Sequence, residues 1–398
     1  MTVPVISTLS RIYKALHPPR ADPLPDSAPI KFGILGAARI APIALVDPAK
    51  CHPEAVVLAV AARDKTRADE FAKKHGIPKV YGGANGYQEL IDDPELDAIY
   101  NPLPNGLHYE WTMKALAAGK HVLLEKPSAD TAEETRKMFE LAEQKNLVLL
   151  EAFHYRFHPS AQRVKEIIDS GELGGIKSIS AQLAIPKGIL QDSDIRLKHS
   201  LGGGAMMDMG CYTMSCIRYF TGSDPLEVTE AKAEAPILKD ASLSSETALV
   251  DGTTTAHLAL PNSISGSLMV SFGLPGWGPW GILPRFPELG VQIECEGGEI
   301  VYFNYPGSWA YHYITVKTRD GNGRKVRTEK AYKPKSGKGE EWWTTYRYQL
   351  EAFVDKLKGR SPEHWMSAED SIANIQWIEN VYTKTGLGPR PASTFQAA

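Results

Sequence analysis

Residues 31–50 read KFGILGAARIAPIALVDPAK, and this stretch decides the fold. An apolar run closes on a glycine, and a helical pattern opens a few residues later. Strand, tight turn and helix form the first unit of a parallel α/β sheet when the pattern repeats. Set against G-x-G-x-x-G/A, the turn gives Gly36, Ala37, Ala38, Arg39, Ile40 and Ala41. The first glycine is kept, the second is replaced by Ala38, and the third is the permitted alanine. In such a loop the three positions make the turn, admit a pyrophosphate to the backbone and let the helix pack on the strand. The helix N-terminus then faces the phosphates. With Ala38 in place, an ordinary strand–helix turn competes with a dinucleotide site, and the pattern that follows favours the latter.

The same alternation continues to residue 152. EAVVLAVAAR, KVYG, LDAIYNPLP, HVLLEKP and LVLLEAF read as strands. KTRADEFAKKHG, GYQELIDDP, LHYEWTMKALAAG and TAEETRKMFELAEQKN read as helices, with stops at Gly76 and Gly119. Residues 31–152 are thus expected to be a Rossmann dinucleotide-binding domain. Residues 153–398 differ. IKSISAQLAIP, TTTAHLALP, ISGSLMVSFG, GVQIECEGGEIVYFN and YHYITVKTRDGNGRKVRTEKAY follow one another largely without helices, which predicts a mostly antiparallel sheet. Helices are expected near 160–170, 205–220, 341–358 and 367–385. The architecture is α/β first and α+β second. Residues 1–30 give a short amphipathic helix (Ile6, Leu9, Ile12, Tyr13, Leu16) and a Pro-rich arm, HPPRADPLPDSAP. That arm is read either as a disordered leader or as a strap across a neighbouring subunit.

Composition sets the limits. The chain has 398 residues, 43% hydrophobic and 23% charged, with a net charge of -3. That balance offers no footprint for nucleic acid or an anionic membrane, and no run is long enough to span a bilayer. Residues 1–20 lack the apolar core of a signal peptide. Four cysteines without a C-x-x-C pair argue against disulfides and structural zinc. A cytoplasmic protein with no metal is expected.

The end of the second strand selects the cofactor. Where an NAD site places an acid against the ribose hydroxyl, this chain has Arg63, with Arg67 one helical turn on. A guanidinium suits a 2′-phosphate, so NADP is expected; solvated helix-start charges are the other reading. Asp64 is free to start the next helix. The chemistry is expected at the carboxyl ends of the strands, which hold Asn101, Pro102, Glu125 and Lys126. Pro127 restricts Lys126 to extended backbone and admits a cis bond. In SLGGGAMMDMGCY, Asp208 and Tyr212 lie four apart near a helix start. A phenol beside an ammonium can act as acid or base, because the cation lowers its pKa. Trp277, Trp280, Arg285 and Phe286 punctuate a Pro/Gly-rich loop, read equally as a pocket wall or a subunit contact.

GILGAARIA, NPLPNGLHYEWTMKALAAGKHVLLEKP, EAFHYRFHP and GGGAMMDMGCY resemble the glucose–fructose oxidoreductase / inositol dehydrogenase family (Gfo/Idh/MocA), closest in look to its dihydrodiol and NADP-dependent D-xylose dehydrogenase branch. The resemblance runs from Lys31 to the C-terminal helices. It implies an open-faced second sheet, a homodimer or homotetramer, and a small sugar or diol substrate. It implies that Lys126 polarises the reacting oxygen, that Glu125 bonds the nicotinamide ribose, and that Arg156 lies near nicotinamide or substrate. It places Asn101, Pro102, Leu103, Asn105 and His108 on the cofactor side, and Trp280 against the substrate. Asp208 and Tyr212 fall on the family's D-x-x-x-H positions with tyrosine for histidine, which argues against a plain inositol dehydrogenase. The implied reaction is oxidation at C1 of an aldose such as D-xylose. Trans-dihydrodiol oxidation, sugar-carbonyl reduction and sugar–sugar oxidoreduction with tightly held NADP are alternatives, and a non-catalytic regulator is the remote one. Either Tyr212 or Lys126 would be the formal base.

Overall fold

The computed structural model describes residues 5–22, 24, 27–237, 246–278, 283, 285–320 and 323–396. Six strands form the first sheet: β1 (Ile30–Leu35), β2 (Ala55–Ala62), β3 (Lys79–Gly82), β4 (Ala98–Asn101), β5 (His121–Leu124) and β6 (Leu149–Glu151). Their order is β3-β2-β1-β4-β5-β6 and each neighbouring pair is parallel. The strand order reverses between β1 and β4, so a crevice opens at their carboxyl ends. Local chemistry sets the helices. Asp64 caps Lys65–His75 by accepting from the N–H groups of Thr66 and Arg67, and Gly76 ends it at φ +72°. Thr131 and Glu134 form a capping box for Ala132–Gln144. The helix after β1 opens with a π-helical turn, Pro42–Val46, and closes as Asp47–Lys50.

Eight strands form the second sheet: β7 (Ile176–Pro186), β8 (Glu227–Glu234), β9 (Thr253–Ala259), β10 (Ser265–Leu274), β11 (Glu288–Cys295), β12 (Gly298–Phe303), β13 (Tyr313–Asp320) and β14 (Gly323–Glu329). The order is β14-β13-β12-β11-β7-β10-β9-β8. All pairs are antiparallel except β7 with β10. The helices Cys211–Thr221 and Ala368–Thr385 pack against the strands, and β9 alternates buried with exposed or half-buried side chains. β8, sequence EVTEAKAE, is absent from the sequence reading. It is an edge strand, and edges carry charge in place of an apolar face.

The two sheets share one core. The helix Thr345–Leu357 packs back on the first domain, where the Phe353 ring lies 5.9 Å from Phe32 of β1. This return brings the start of that helix to the junction where the crevice lies.

Over its described residues the N-terminal segment packs on the rest of the chain and is not a disordered leader. Helix Val5–Leu16 and the described part of the arm lie on their own chain. Arg11 is buried, donates to the carbonyls of Trp309 and Ala310, and lies 3.6 Å over the Tyr332 ring. Ala21 N donates to Lys50 O at 3.0 Å, and Lys358 Nζ donates to Ala28 O at 2.7 Å. Arg11→Ala leaves two carbonyls without this donor and removes the guanidinium from the ring. It is expected to lower stability by about 1–3 kcal/mol, read as the midpoint of urea unfolding. An unchanged midpoint would show that the arm does not stabilise the fold.

Candidate active site

β5 delivers Glu125 and Lys126 to the crevice, and the Lys126–Pro127 peptide is cis. Tyr100, in the next strand, donates its hydroxyl to Glu125 Oε1 at 2.7 Å. Lys126 Nζ donates to both the backbone oxygen and Oδ1 of Asp208, each at 2.8 Å. Asp208 sits in a π-helical turn, Met206–Gly210, that leads into the helix carrying Tyr212. Such turns recur at functional sites. Arg196 Nε lies 3.1 Å from the other Asp208 oxygen. Lys126 Nζ stands 5.0 Å from the centre of the Tyr212 ring. So the structure brings Glu125, Lys126, Asp208 and Tyr212 together from two domains.

The charges follow from this packing. Burial works against the Lys126 ammonium, but Asp208, Cys211 and Glu125 outweigh it and its pKa is raised. Burial also opposes the Asp208 carboxylate, yet Lys126 and Arg196 hold its pKa below the usual value. Tyr212 goes the other way from the sequence reading. Burial, then Tyr346 and Glu125, push its pKa well above 10.0. The lowering expected from the ammonium does not prevail, because burial outweighs it. At neutral pH the site therefore holds a charged lysine beside a protonated phenol.

Behind Lys126, Glu151 at the end of β6 accepts from Ser128 N at 2.7 Å, and its other oxygen has no partner. Burial pushes its pKa up to about 8. The ordinary unfolded value is about 4.3, so the folded state binds the extra proton between these values. Stability held below about pH 4.3 is then lost as the pH rises toward about 8. Glu151→Gln keeps the acceptor for Ser128 without the charge. It is expected to be more stable than wild type by up to a few kcal/mol near pH 8.5, the difference vanishing near pH 4.5, by urea unfolding at both. An offset independent of pH would refute the assignment.

The cofactor side is built from backbone and two guanidiniums. Gly36 has φ +87°, a conformation in which a side chain is strained, and a Cβ there would stand 3.1 Å from Leu103 Cδ2. Arg63 and Arg67 are exposed at the carboxyl end of β2, and both act on the Tyr87 phenol, opposing the rise that burial gives its pKa. Neither forms an ion pair among the described residues. A positive-φ glycine turn before a helix, with two cations free of ion pairs among the described residues at the neighbouring strand end, fits a phosphorylated dinucleotide. Ala37, Ala38, Arg39 and Ile40 line the same turn, all at least half exposed or half-buried.

Several residues expected on the cofactor side also hold the turns of the crevice in shape. Asn101 Nδ2 donates to His108 O at 3.3 Å and Thr112 Oγ1 at 3.1 Å, while its Oδ1 accepts from Leu103 N, which shapes the turn through Pro102. The His108 ring lies between the carbonyls of Leu103 and Pro127, 2.7 Å from each. Burial, and to a lesser degree Lys126, bring its pKa to about 4, so the neutral ring donates to one carbonyl at a time. Asn105 Nδ2 donates to Gly202 O at 2.9 Å, tying the two domains. Gly202 leaves no room there, since a Cβ would lie 2.0 Å from Asp130 Oδ1.

Arg156 does not join the cluster. Its guanidinium pairs with Asp370 and lies 4.3 Å over the Tyr219 ring. In the 3₁₀ turn His154–Phe157, residues two apart point to different sides, so His154 reaches the site and Arg156 does not. Trp280 lies outside the described residues; Trp277 is exposed and bridges to Leu283. The sequence reading missed His154, whose Nε2 lies 2.8 Å from Tyr212 Oη and whose Nδ1 lies 2.8 Å from Thr345 Oγ1. It also missed Arg196 and Tyr346. EAFHYRFHP stands out in the sequence, but the packing partner of His154 comes from 191 residues away. Among the described residues no group of three or more His, Cys, Asp or Glu could hold a metal, and no helix is long and apolar enough to cross a membrane.

A Rossmann crevice, a second domain closing over it, and an ammonium–carboxylate–phenol group at the strand ends define a dinucleotide-linked oxidoreductase. Comparison with known proteins gives the family. A signature described as "Oxidoreductase family, NAD-binding Rossmann fold" matches residues 30–153, and one described as "GFO/IDH/MocA C-terminal domain" matches residues 161–301. The chain is 32% identical over 362 residues to dTDP-3,4-didehydro-2,6-dideoxy-alpha-D-glucose 3-reductase of Saccharopolyspora spinosa, covering 90% of each. It is 43% identical over 194 residues to D-xylose 1-dehydrogenase (NADP(+)) 2 of Haloferax volcanii, covering 48% of this chain and 57% of that one. The crystal structure of a 3-ketoreductase from Actinomadura kijaniata in complex with NADP and TDP-benzene superposes with a TM-score of 0.72 at 26% identity, covering 89% of this chain and 98% of that one. The chain belongs to the GFO/IDH/MocA oxidoreductase family.

Proposed function

We propose that this protein is an NADP-dependent oxidoreductase that interconverts a sugar hydroxyl and its carbonyl, with reduction of a ring ketone as the favoured reaction. The observation that carries the proposal is the protonated Tyr212 phenol beside the charged Lys126. A protonated phenol next to an ammonium can hand its proton to an oxygen that is gaining negative charge. A relative aligned over 90% of both chains is a sugar 3-reductase, and the solved 3-ketoreductase is in complex with NADP.

Gly36 to Ile40 and the following helix start would hold the pyrophosphate, and Arg63 with Arg67 the 2′-phosphate. When bound, NADPH supplies the hydride. Lys126 donates to the substrate carbonyl oxygen and stabilises the charge that develops there, its ammonium oriented by the two Asp208 oxygens. Tyr212 passes its proton to that oxygen. Glu125, clamped by Tyr100, is placed to accept from a ribose or sugar hydroxyl.

Oxidation of an aldose at C1 is the second reading, favoured by the 43% identity to the xylose dehydrogenase over about half the chain. A panel separates the two. NADPH consumption is followed with 3-keto-D-glucose and D-fructose, and NADP⁺ reduction with D-xylose, D-glucose and trans-1,2-dihydrobenzene-1,2-diol. Turnover of a ring ketone supports the proposal. Turnover of D-xylose alone favours the second reading, and silence throughout removes both.

A further inference from the structure

Tyr212 makes its side-chain hydrogen bond with His154, not with Lys126 or Asp208. If the phenol donates to the imidazole, its hydrogen points away from the substrate and the acid is idle. The direction of that one bond therefore decides whether Tyr212 can act.

Thr345 fixes the direction. Its hydroxyl is buried, and its side-chain hydrogen bond is the 2.8 Å contact with His154 Nδ1. Two tautomers are available to a neutral ring. In one, Nδ1–H donates to Thr345, whose own hydrogen is left buried without an acceptor, and Tyr212 donates to Nε2. In the other, Thr345 donates to Nδ1, and Nε2–H donates to Tyr212 Oη. Each leaves one hydroxyl hydrogen without a protein acceptor: that of the wholly buried Thr345 in the first, at a cost of about 1–3 kcal/mol, and that of Tyr212, beside Lys126 at the crevice, in the second, where a substrate oxygen supplies the acceptor. The ring stays neutral because burial, with Lys126 adding to it, lowers the His154 pKa to about 3. The charged and titratable groups around the pair are Lys126, Glu125, Asp208, Cys211, His158 and Tyr346, the last with its ring tilted 4.0 Å from that of His154.

We propose that His154 is the positioning residue of this acid: Thr345 sets its tautomer, its Nε2–H donates to Tyr212 Oη, and the phenol hydrogen is left for the substrate oxygen. The same donor stabilises the phenolate that remains after transfer, since a hydrogen bond to the charged form favours it. The proton balance is simple. Tyr212 loses its proton to the substrate oxygen, and the phenolate is held by Nε2–H until solvent restores it after product release. This rests on the reading of Tyr212 as proton donor given above.

The test compares His154→Phe, His154→Gln, Thr345→Val and Tyr212→Phe with wild type, using NADPH and the panel ketone that wild type turns over. NADPH dissociation, followed by fluorescence, checks that each variant is folded. His154→Phe is expected to lower kcat about tenfold to a hundredfold with KM within about twofold, because only the acid step is touched. His154→Gln supplies a new N–H and is expected to recover most of that loss. Thr345→Val, nearly isosteric, leaves Nδ1 without its donor and is expected to cost several-fold in kcat. A purely structural role would not give rescue by glutamine at constant KM. Unchanged kcat in His154→Phe, or in Thr345→Val should the former not fold, overturns the proposal. Equal slowness of the Phe and Gln variants with intact NADPH binding does so too. Tyr212→Phe serves a separate end: if it is fully active, the functional reading itself fails.

Discussion

Lys126→Met is expected to lose about three orders of magnitude in kcat while NADPH binding stays within about twofold of wild type, since the change removes the charge that stabilises the reacting oxygen. Methionine nearly matches the stem of lysine in length, so packing against the Tyr212 ring persists. The partner carboxylate is not abandoned either: Asp208 keeps Arg196, 3.1 Å from its second oxygen. Breaking a buried ion pair usually destabilises by leaving a bare charge, and that second cation blunts the effect here. The loss is thus expected in turnover and not in folding. Measured kcat near wild type would remove Lys126 from the chemistry. Loss of NADPH affinity along with kcat would instead make it a cofactor ligand.

The first domain was legible because its signals are local. Apolar runs, glycine stops at Gly76 and Gly119, and the Asp64 cap each act within one turn of chain, and each recurs in the structure. The second domain was legible wherever a strand alternates. β8 escaped because an edge strand of Glu, Thr, Lys and Ala has the composition of a solvated segment. In the site, Lys126 and Asp208 could be paired in advance through the motifs that carry them. The sign of the Tyr212 shift could not. It depends first on how completely the folded chain buries the phenol, which no spacing along the chain encodes. His154 and Thr345 meet only because the helix Thr345–Leu357 folds back on the first domain. Arg156 failed to reach the site for the opposite reason: a local 3₁₀ turn rotated it toward Asp370.

Arg63 and Arg67 carry the other large expectation. The Arg63→Ala/Arg67→Ala variant is expected to lose about two to three orders of magnitude in kcat/KM for NADP⁺ or NADPH, two charge-assisted contacts at about 1.5–3 kcal/mol each, less what non-additivity removes. The effect on NAD⁺ or NADH is expected to stay within a few-fold, because that cofactor has no 2′-phosphate to lose. The fold offers good reason to believe the substitution is clean. Both side chains are exposed, neither forms an ion pair among the described residues, and the helix that Arg63 precedes and Arg67 helps to open is capped by the Asp64 carboxylate accepting from backbone N–H groups. The cap thus survives truncation at Arg67, whose backbone N–H is unaltered. What changes is the charge at the carboxyl end of β2, where both guanidiniums act on the Tyr87 phenol. Raising the ionic strength should weaken NADP binding to wild type more than to the variant, since exposed charges are screened within about 10 Å at 0.1 M salt. An equal fall for NAD⁺ and NADP⁺ would move the guanidiniums to the pyrophosphate, and the preference for the phosphorylated cofactor would then have to come from elsewhere in the loop.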